Sequence, residues 1–219
     1  MRLFCRVGFN ATASQATDIG MKKLYSDSAS RNAPYISEVL SEYLPEKGKV
    51  LELASGTGQH CIYFSEKFSN LEWQPSDIDK KRLESIEAYI QEITQANIKR
   101  PLLIDATVEK WDTQINNYDA IIAINIFHLI SFKEMKSLIR GSSSALNSNG
   151  YLIFYGPFMR GSELTSDEDI KFHSSLVACD PEIGYKDDFD ILDEIEANNL
   201  CPEAVIEMPA NNLMFIAKK

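Results

Sequence analysis

Two short apolar runs near the carboxyl end, Ala204 to Met208 and Leu213 to Ala217, are separated only by Pro209-Ala210-Asn211-Asn212. Four residues cannot carry a chain back along a sheet through a helical crossover, so these two strands must run antiparallel. Upstream the pattern is the opposite. From Lys49 to Tyr155, short apolar runs alternate with stretches of helical periodicity. That alternation predicts parallel strands joined by helices that cover both faces of the sheet.

The predicted elements follow in order. Pro34 to Leu44 reads as a helix with Pro34 near its first turn and Ile36, Val39, Leu40 and Tyr43 on one face. Lys49 to Ala54 is a strand, Gln59 to Phe68 a helix and Leu71 to Ser76 a second strand. Asp79 caps a helix whose Leu83, Ile86, Ile90 and Ile93 recur at helical spacing. Leu102 to Ile104 and Tyr118 to Ile124 are the third and fourth strands. Phe132 to Leu146 is a helix, which the Asn149-Gly150 turn links to a fifth strand, Tyr151 to Tyr155. An insert from Phe158 to Tyr185 carries a helix from Asp167 to Val177, and Phe189 to Asn198 is the last helix. The layout is that of an α/β, Rossmann-like, seven-stranded class I methyltransferase fold. Its sheet is mostly parallel, with an antiparallel C-terminal hairpin and helices on both faces.

Charge and cysteine usage narrow the function. The net charge of −10 is poor for nucleic-acid binding, which needs clustered Lys and Arg. Residues 161–219 hold 14 acidic and 4 basic groups and account for the whole excess, as a solvated acidic face or as a rim that attracts a cation. Cys5, Cys61, Cys179 and Cys201 show no paired spacing, so neither a disulfide framework nor a metal site is expected. Reduced thiols suit a cytoplasmic protein. The longest nearly apolar run, Ala120 to Ile130, is too short to span a bilayer, so no membrane association is expected. Residues 1–20 have Arg2 and Arg6 but no apolar core, and a second methionine, Met21, opens the regular part. They read as a flexible arm or a mis-assigned start, with the domain at 21–219.

The chemistry gathers where strands end. Glu52-Leu-Ala-Ser-Gly-Thr-Gly58 follows a strand and precedes a helix. Gly56 and Gly58 allow a tight turn and close backbone approach to a ligand, and the helix start offers free N–H groups. A dinucleotide loop also has this context, but Cys61 stands where such loops usually place Gly or Ala. The run instead resembles the acidic-x-Gly-x-Gly-x-Gly loop of S-adenosylmethionine (SAM) enzymes, with Ala54 at the first Gly and Ser55 beside it. Glu52 would repel a pyrophosphate and favour the ammonium and sulfonium of SAM. A plain Gly turn with a core-edge Glu is the competing reading. Asp77 closes the second strand and can accept both ribose hydroxyls, with Ile78 following it; Asp79 is better placed to cap the next helix. Asp105, followed by Ala106, closes the third strand, where this fold commonly contacts the adenine amino group. A turn-forming Asp is the alternative. Asn125 closes the fourth strand. These positions lie at the carboxyl ends of strands, where open α/β sheets bind ligands.

From Lys22 onward the chain is similar to the domain-of-unknown-function 938 family, of the methyltransferase-like protein 26 type. The matching pieces are Tyr25-Ser26, Arg31-Asn32, LELASGTGQH (51–60), WQPSDID (73–79), Asn125 with His128, YGPF (155–158), Thr165-Ser166, Asp180-Pro181 and MPANN (208–212). The resemblance implies a SAM-dependent methyltransferase acting on a small-molecule acceptor. It also suggests that Arg31 pairs with the SAM carboxylate. The chain departs from the family pattern in the insert. Glu168-Asp169 and Phe172-His173 replace Ser-Asn and Phe-Asp, basic residues expected around Val177 and Cys179 are missing, and Ile183 stands where an aromatic is usual. That region normally roofs the acceptor pocket.

Methyl transfer from a sulfonium needs mainly a positioned nucleophile, and a base only where the acceptor must lose a proton. His128, just past the fourth strand, is the first candidate for that base, with a core-edge hydrogen-bonded role as the alternative. Tyr155 is a candidate wall of the acceptor pocket and equally a packing residue. His173 is a weaker candidate, His60 fits packing or capping, and Cys61 fits a small buried residue. Two other functions compete. One is a non-catalytic SAM-binding regulatory or partner protein. The other is a NAD(P)-dependent oxidoreductase.

Overall fold

The structure is a computed structural model that describes residues 23–219, apart from the side chain of Gln114. The expected arm or mis-assigned start at 1–20 lies outside the described residues. Seven strands form one sheet: β1 (Gly48–Leu53), β2 (Leu71–Asp77), β3 (Leu102–Leu103), β4 (Tyr118–Ile124), β5 (Leu146–Pro157), β6 (Cys201–Met208) and β7 (Asn212–Lys218). Their order is β3-β2-β1-β4-β5-β7-β6. The pairs among β1 to β5 are parallel, whereas β7 runs antiparallel to both β5 and β6. Ala210 and Asn211 take left-handed conformations in the tight link between β6 and β7.

Strand alternation divides the core. Val50, Ala120, Ile122 and Ile124 face one layer, packed with Ile36, Leu40, Phe64 and Ile86. These come from α1 (Asp27–Tyr43), α2 (Gln59–Lys67) and α3 (Lys80–Ile90). Leu51, Leu53, Ile121 and Ala123 face the other layer, against Met135, Leu138, Ile191 and Ile195. These belong to α4 (Phe132–Ala145) and α6 (Asp188–Ala197). Each inner strand is thus apolar on both sides, as parallel strands between helical layers require. The insert supplies α5 (Asp167–Cys179). No helix among the described residues is long and apolar enough to cross a membrane.

Three expectations change. Helix α1 starts at Asp27, not at Pro34, and Pro34 lies inside it. Ser26 caps it, accepting from the Ala29 N–H at 3.4 Å, and the buried stripe continues through Ala29, Ala33, Ile36 and Leu40. Alanines at the first two positions hid that stripe from the apolar pattern. The Asn149-Gly150 turn is instead a bulge within β5. Leu146 pairs with Tyr118, the register shifts, and Tyr151 pairs with Ala120. Asn149 takes φ 65° there, and its N–H donates to Lys219 O at 2.9 Å. Finally, Cys61 and Cys201 are free thiols, but Cys179 is disulfide-bonded, correcting the expectation of reduced thiols at that position. Sequence spacing reveals local pairs only, whereas folding can join distant cysteines.

Candidate functional site

The loop after β1 reverses through three left-handed residues, Ala54 (φ 53°), Gly56 (φ 61°) and Gly58 (φ 95°). Ala54 occupies a conformation that disfavours a side chain by about 1–2 kcal/mol. Gly58 also sits where a Cβ would lie 3.0 Å from Ile86 Cγ1, so helix α3 needs a glycine there. Ser55 stitches the loop to β2. Its N–H donates to Ser76 O at 2.8 Å, and its hydroxyl accepts from Ser76 N–H at 3.1 Å. The Ser76 hydroxyl in turn donates to Glu52 O at 2.8 Å.

Two carboxyl groups flank this loop. Asp77, only 1% exposed, closes β2. It accepts from Gly56 N–H and Asp79 N–H, each at 2.9 Å. Asp79 caps α3 by accepting from Lys81 N–H at 2.8 Å, as the sequence suggested for that residue. Burial raises the Asp77 pKa, while Arg82 at 3.6 Å and the two amides oppose the rise. Glu52 is fully buried and its Oε2 has no hydrogen-bond partner. Burial first, and the Asp77 charge second, push it up from 4.5 to about 8. Glu52 is therefore mostly protonated at neutral pH, ready to ionise beside a cation.

The other sequence candidates are placed as follows. Asp105 closes a local turn, accepting from the N–H (3.0 Å) and hydroxyl (2.5 Å) of Thr107. Ala106 packs partly on the core, and Ile78 stands exposed beyond β2. Asn125 is left-handed at φ 56°, and its N–H donates to Tyr155 O at 2.7 Å, tying the ends of β4 and β5. Arg31 is exposed on α1. Its neighbour Asn32, to which sequence reasoning gave no role, accepts at Oδ1 from His60 Nε2–H at 2.7 Å. Asn32 also hydrogen-bonds Tyr155, whose hydroxyl pKa is nevertheless raised by burial. Asn32 thus links α1, α2 and β5. Burial lowers His60 to about 4, and its ring stacks on Phe64. Cys61 is fully buried, as expected.

His128 lies apart from this group, in a 3-10 turn (Phe127–Leu129) after β4. It is 3% exposed and its Nδ1 has no hydrogen-bond partner. Burial and the nearby Lys186 lower its pKa to about 3, so the imidazole is neutral. The insert packs on it through Phe172 and Tyr185, with ring centroids 5.6 and 6.3 Å away. Asp169 pins this roof. Its carboxylate accepts from Ser166 (2.7 Å), Thr165 (2.9 Å), Tyr185 (2.9 Å) and Asn211 (3.0 Å). Asn211 comes from the β6–β7 link, so one carboxylate ties the insert to the hairpin. His173 Nδ1 accepts from Tyr185 N–H at 3.1 Å, which makes it a structural acceptor in the same roof. A surface depression of about 300 Å³ lies elsewhere, lined by Ser30, Gln59, Tyr63 and Tyr89 among others, and holds none of these candidates.

The family described as "Protein of unknown function (DUF938)" matches residues 23–219. Among solved structures, an O-methyltransferase family protein from Burkholderia thailandensis superposes with a TM-score of 0.74 at 14% identity, over 88% of this chain and 57% of that one. Human N-acetylserotonin methyltransferase in complex with SAM gives 0.71 at 11% identity, over 88% and 53%. A geranyl diphosphate C-methyltransferase from Streptomyces coelicolor A3(2), bound to Mg2+, geranyl diphosphate and S-adenosylhomocysteine, gives 0.68 at 10% identity, over 86% and 80%. The chain thus spans little more than half the length of the first two. At these identities the likeness establishes the fold, which is that of class I methyltransferases.

Proposed function

We propose that this chain, which belongs to the DUF938 family, is a SAM-dependent methyltransferase that acts on a small molecule. The motifs quoted above support a place with the methyltransferase-like protein 26 type. The observation that carries the reading is the pair of buried carboxyl groups, Glu52 and Asp77, on either side of a left-handed loop at the carboxyl edge of the sheet. A pyrophosphate would face the Asp77 carboxylate and make ionisation of Glu52 harder still, whereas SAM brings two positive charges that favour the ionised Glu52 and a ribose diol for Asp77. Asp77 is fixed by Gly56 and Asp79 amides with its remaining lone pairs available to the ribose hydroxyls. Glu52 and the loop through Ala54, Ser55, Gly56 and Gly58 take the methionine part, with Arg31 on its carboxylate. Ile78 and Ala106 flank the adenine, Asp105 receives its amino group, and Asn125 borders the methyl.

The structural relatives support the cofactor, since those named above include complexes with SAM and S-adenosylhomocysteine. A thermal-shift titration with SAM, S-adenosylhomocysteine, NAD and NADP tests the reading, because a ligand that binds only the folded state raises Tm with concentration. Shifts with the two adenosyl compounds alone are expected. A shift with NAD or NADP alone would replace the function and keep the fold.

A further inference from the structure

The insert carries a buried cation that the donor site does not use. Lys186 is 7% exposed. It lies on a stretch held at three points. Gly184 N–H donates to His128 O at 3.0 Å, Tyr185 N–H donates to His173 Nδ1 at 3.1 Å, and Met159 N–H donates to Lys186 O at 2.9 Å. Met159 is two residues past the end of β5 at Pro157, so this stretch sits at the carboxyl edge where the other candidates gather. The Lys186 ammonium donates to Gly184 O at 2.8 Å. The charges facing it are the neutral rings of His128 and His173 and, from α4, the carboxylate of Glu134. Glu134 is engaged in the α4 capping box, where it accepts from Ser131 N–H at 2.7 Å. Burial lowers Lys186 to about 8 against the pull of Glu134, so it stays mostly charged at neutral pH.

The magnitudes decide which way this group of side chains works. Moving a proton from an ordinary phenol of pKa about 10 to an imidazole near 3 is unfavourable by about seven orders of magnitude. His128 is therefore a poor resting base. A cation held beside it favours the opposite arrangement, in which the acceptor arrives already ionised.

We propose that Lys186 and His128 form the acceptor subsite and that it takes an anionic oxygen nucleophile, a carboxylate or an acidic phenolate. The inference rests on the methyltransferase reading above. Lys186 holds the oxyanion by charge, and the unpartnered Nδ1 of His128, with the rings of Phe172 and Tyr185, shapes its surroundings. In the transfer, a lone pair of the acceptor oxygen forms the O–CH3 bond as the S–CH3 bond breaks. The breaking bond leaves its electron pair on sulfur. A sulfonium and an oxyanion become a neutral thioether and a neutral ester or ether, and no proton moves.

The test uses 4-nitrophenol, whose ionisation is read from its visible absorbance, and the neutral analogue 4-nitroaniline. Both are titrated into the full-length protein with and without S-adenosylhomocysteine. The expected result is that bound nitrophenol ionises at least one pH unit below the free dye, a tenfold preference for the anion, and that nitroaniline binds at least tenfold more weakly. Lys186→Met loses the preference and Lys186→Arg keeps it. Nitrophenol bound without a shift, equal binding of nitroaniline, no binding of either dye, or an unchanged shift in Lys186→Met overturns the proposal. The two-dye comparison needs only the wild-type protein, so it stands even where a variant folds poorly. Anion-selective dye binding in a protein that ignores S-adenosylhomocysteine would keep the subsite and sink the cofactor reading.

Discussion

Replacing Glu52 by Gln should stabilise the ligand-free protein at alkaline pH while weakening its hold on SAM. Glu52 is raised from 4.5 to about 8 by burial and by Asp77. Below pH 4.5 the folded and unfolded chains both keep the proton, and the group costs the fold nothing. Between 4.5 and 8 the unfolded chain releases the proton and the folded chain retains it, so each pH unit subtracts about 1.4 kcal/mol of stability. That makes the cost about 3 kcal/mol at pH 7 and about 5 kcal/mol once the folded form has titrated as well. Glu52→Gln removes the titration. The glutamine amide occupies the same poorly partnered position, which adds an offset of about 1–3 kcal/mol that does not vary with pH. The informative quantity is therefore the slope. Urea unfolding at pH 5, 6, 7, 8 and 9 should show the variant gaining on wild type by about 4 kcal/mol across that range. A stability difference that is flat across those five pH values would refute the buried, protonated Glu52. Calorimetry on the same proteins should show SAM binding weakened at least tenfold in the variant, about 1.4 kcal/mol, because the cofactor's cations lose their carboxylate.

Other consequences are separable. Asp77→Ala should weaken SAM binding at least tenfold, about 1.4 kcal/mol, and unchanged affinity by calorimetry would remove Asp77 from the ribose site. Gly58→Ala places a methyl group 3.0 Å from Ile86 at a left-handed position, so urea unfolding should show a loss of about 1–3 kcal/mol. Asp169→Ala leaves Tyr185, Asn211, Thr165 and Ser166 without their common acceptor. Hydrogen exchange should then quicken in residues 165–186 with little change in β1 and β2; exchange unaltered in the insert would show that Asp169 does not pin the roof.

The sheet and the loop of the proposed donor side were legible in the sequence as structure, because each rests on a local signal. Apolar runs and their spacing marked β1, β2 and β4, and the four residues after Met208 forced the antiparallel hairpin. Asp77 and Asp79 could be told apart because a cap must stand directly before its helix. The acceptor side was not legible. Lys186 lies in a polar stretch whose burial comes from backbone contacts with His128, His173 and Met159, residues 58, 13 and 27 positions away in sequence. Asp169 reads as one of three acids in the first turn of α5, and nothing local shows that Asn211 and Tyr185 converge on it. Asn32 was noticed as part of a matching pair, but its bridge between His60 and Tyr155 exists only after α1, α2 and β5 have packed.

Under the proposed function, the two halves of the site have opposite electrostatics for a common reason. On the donor side, Glu52 and Asp77 are buried acids whose charged forms are disfavoured until a cation arrives. On the acceptor side, Lys186 is a buried base disfavoured in its charged form until an anion arrives. Each proposed ligand would thus offset the cost of burying its partner's charge, and each would be selected by sign before shape matters. Transfer between a sulfonium and an oxyanion destroys both charges as the new bond forms. A reaction that annihilates charge gains from leaving water, because the separated ions lose more solvation than the neutral products do. Burial that looks costly at Glu52 and at Lys186 is therefore the same burial that lowers the barrier between them. S-adenosylhomocysteine keeps the ammonium and the ribose diol but not the sulfonium, and the methylated product is no longer an anion. On this reading the donor subsite would lose part of its attraction, and the acceptor subsite its charge attraction, once the methyl group has moved.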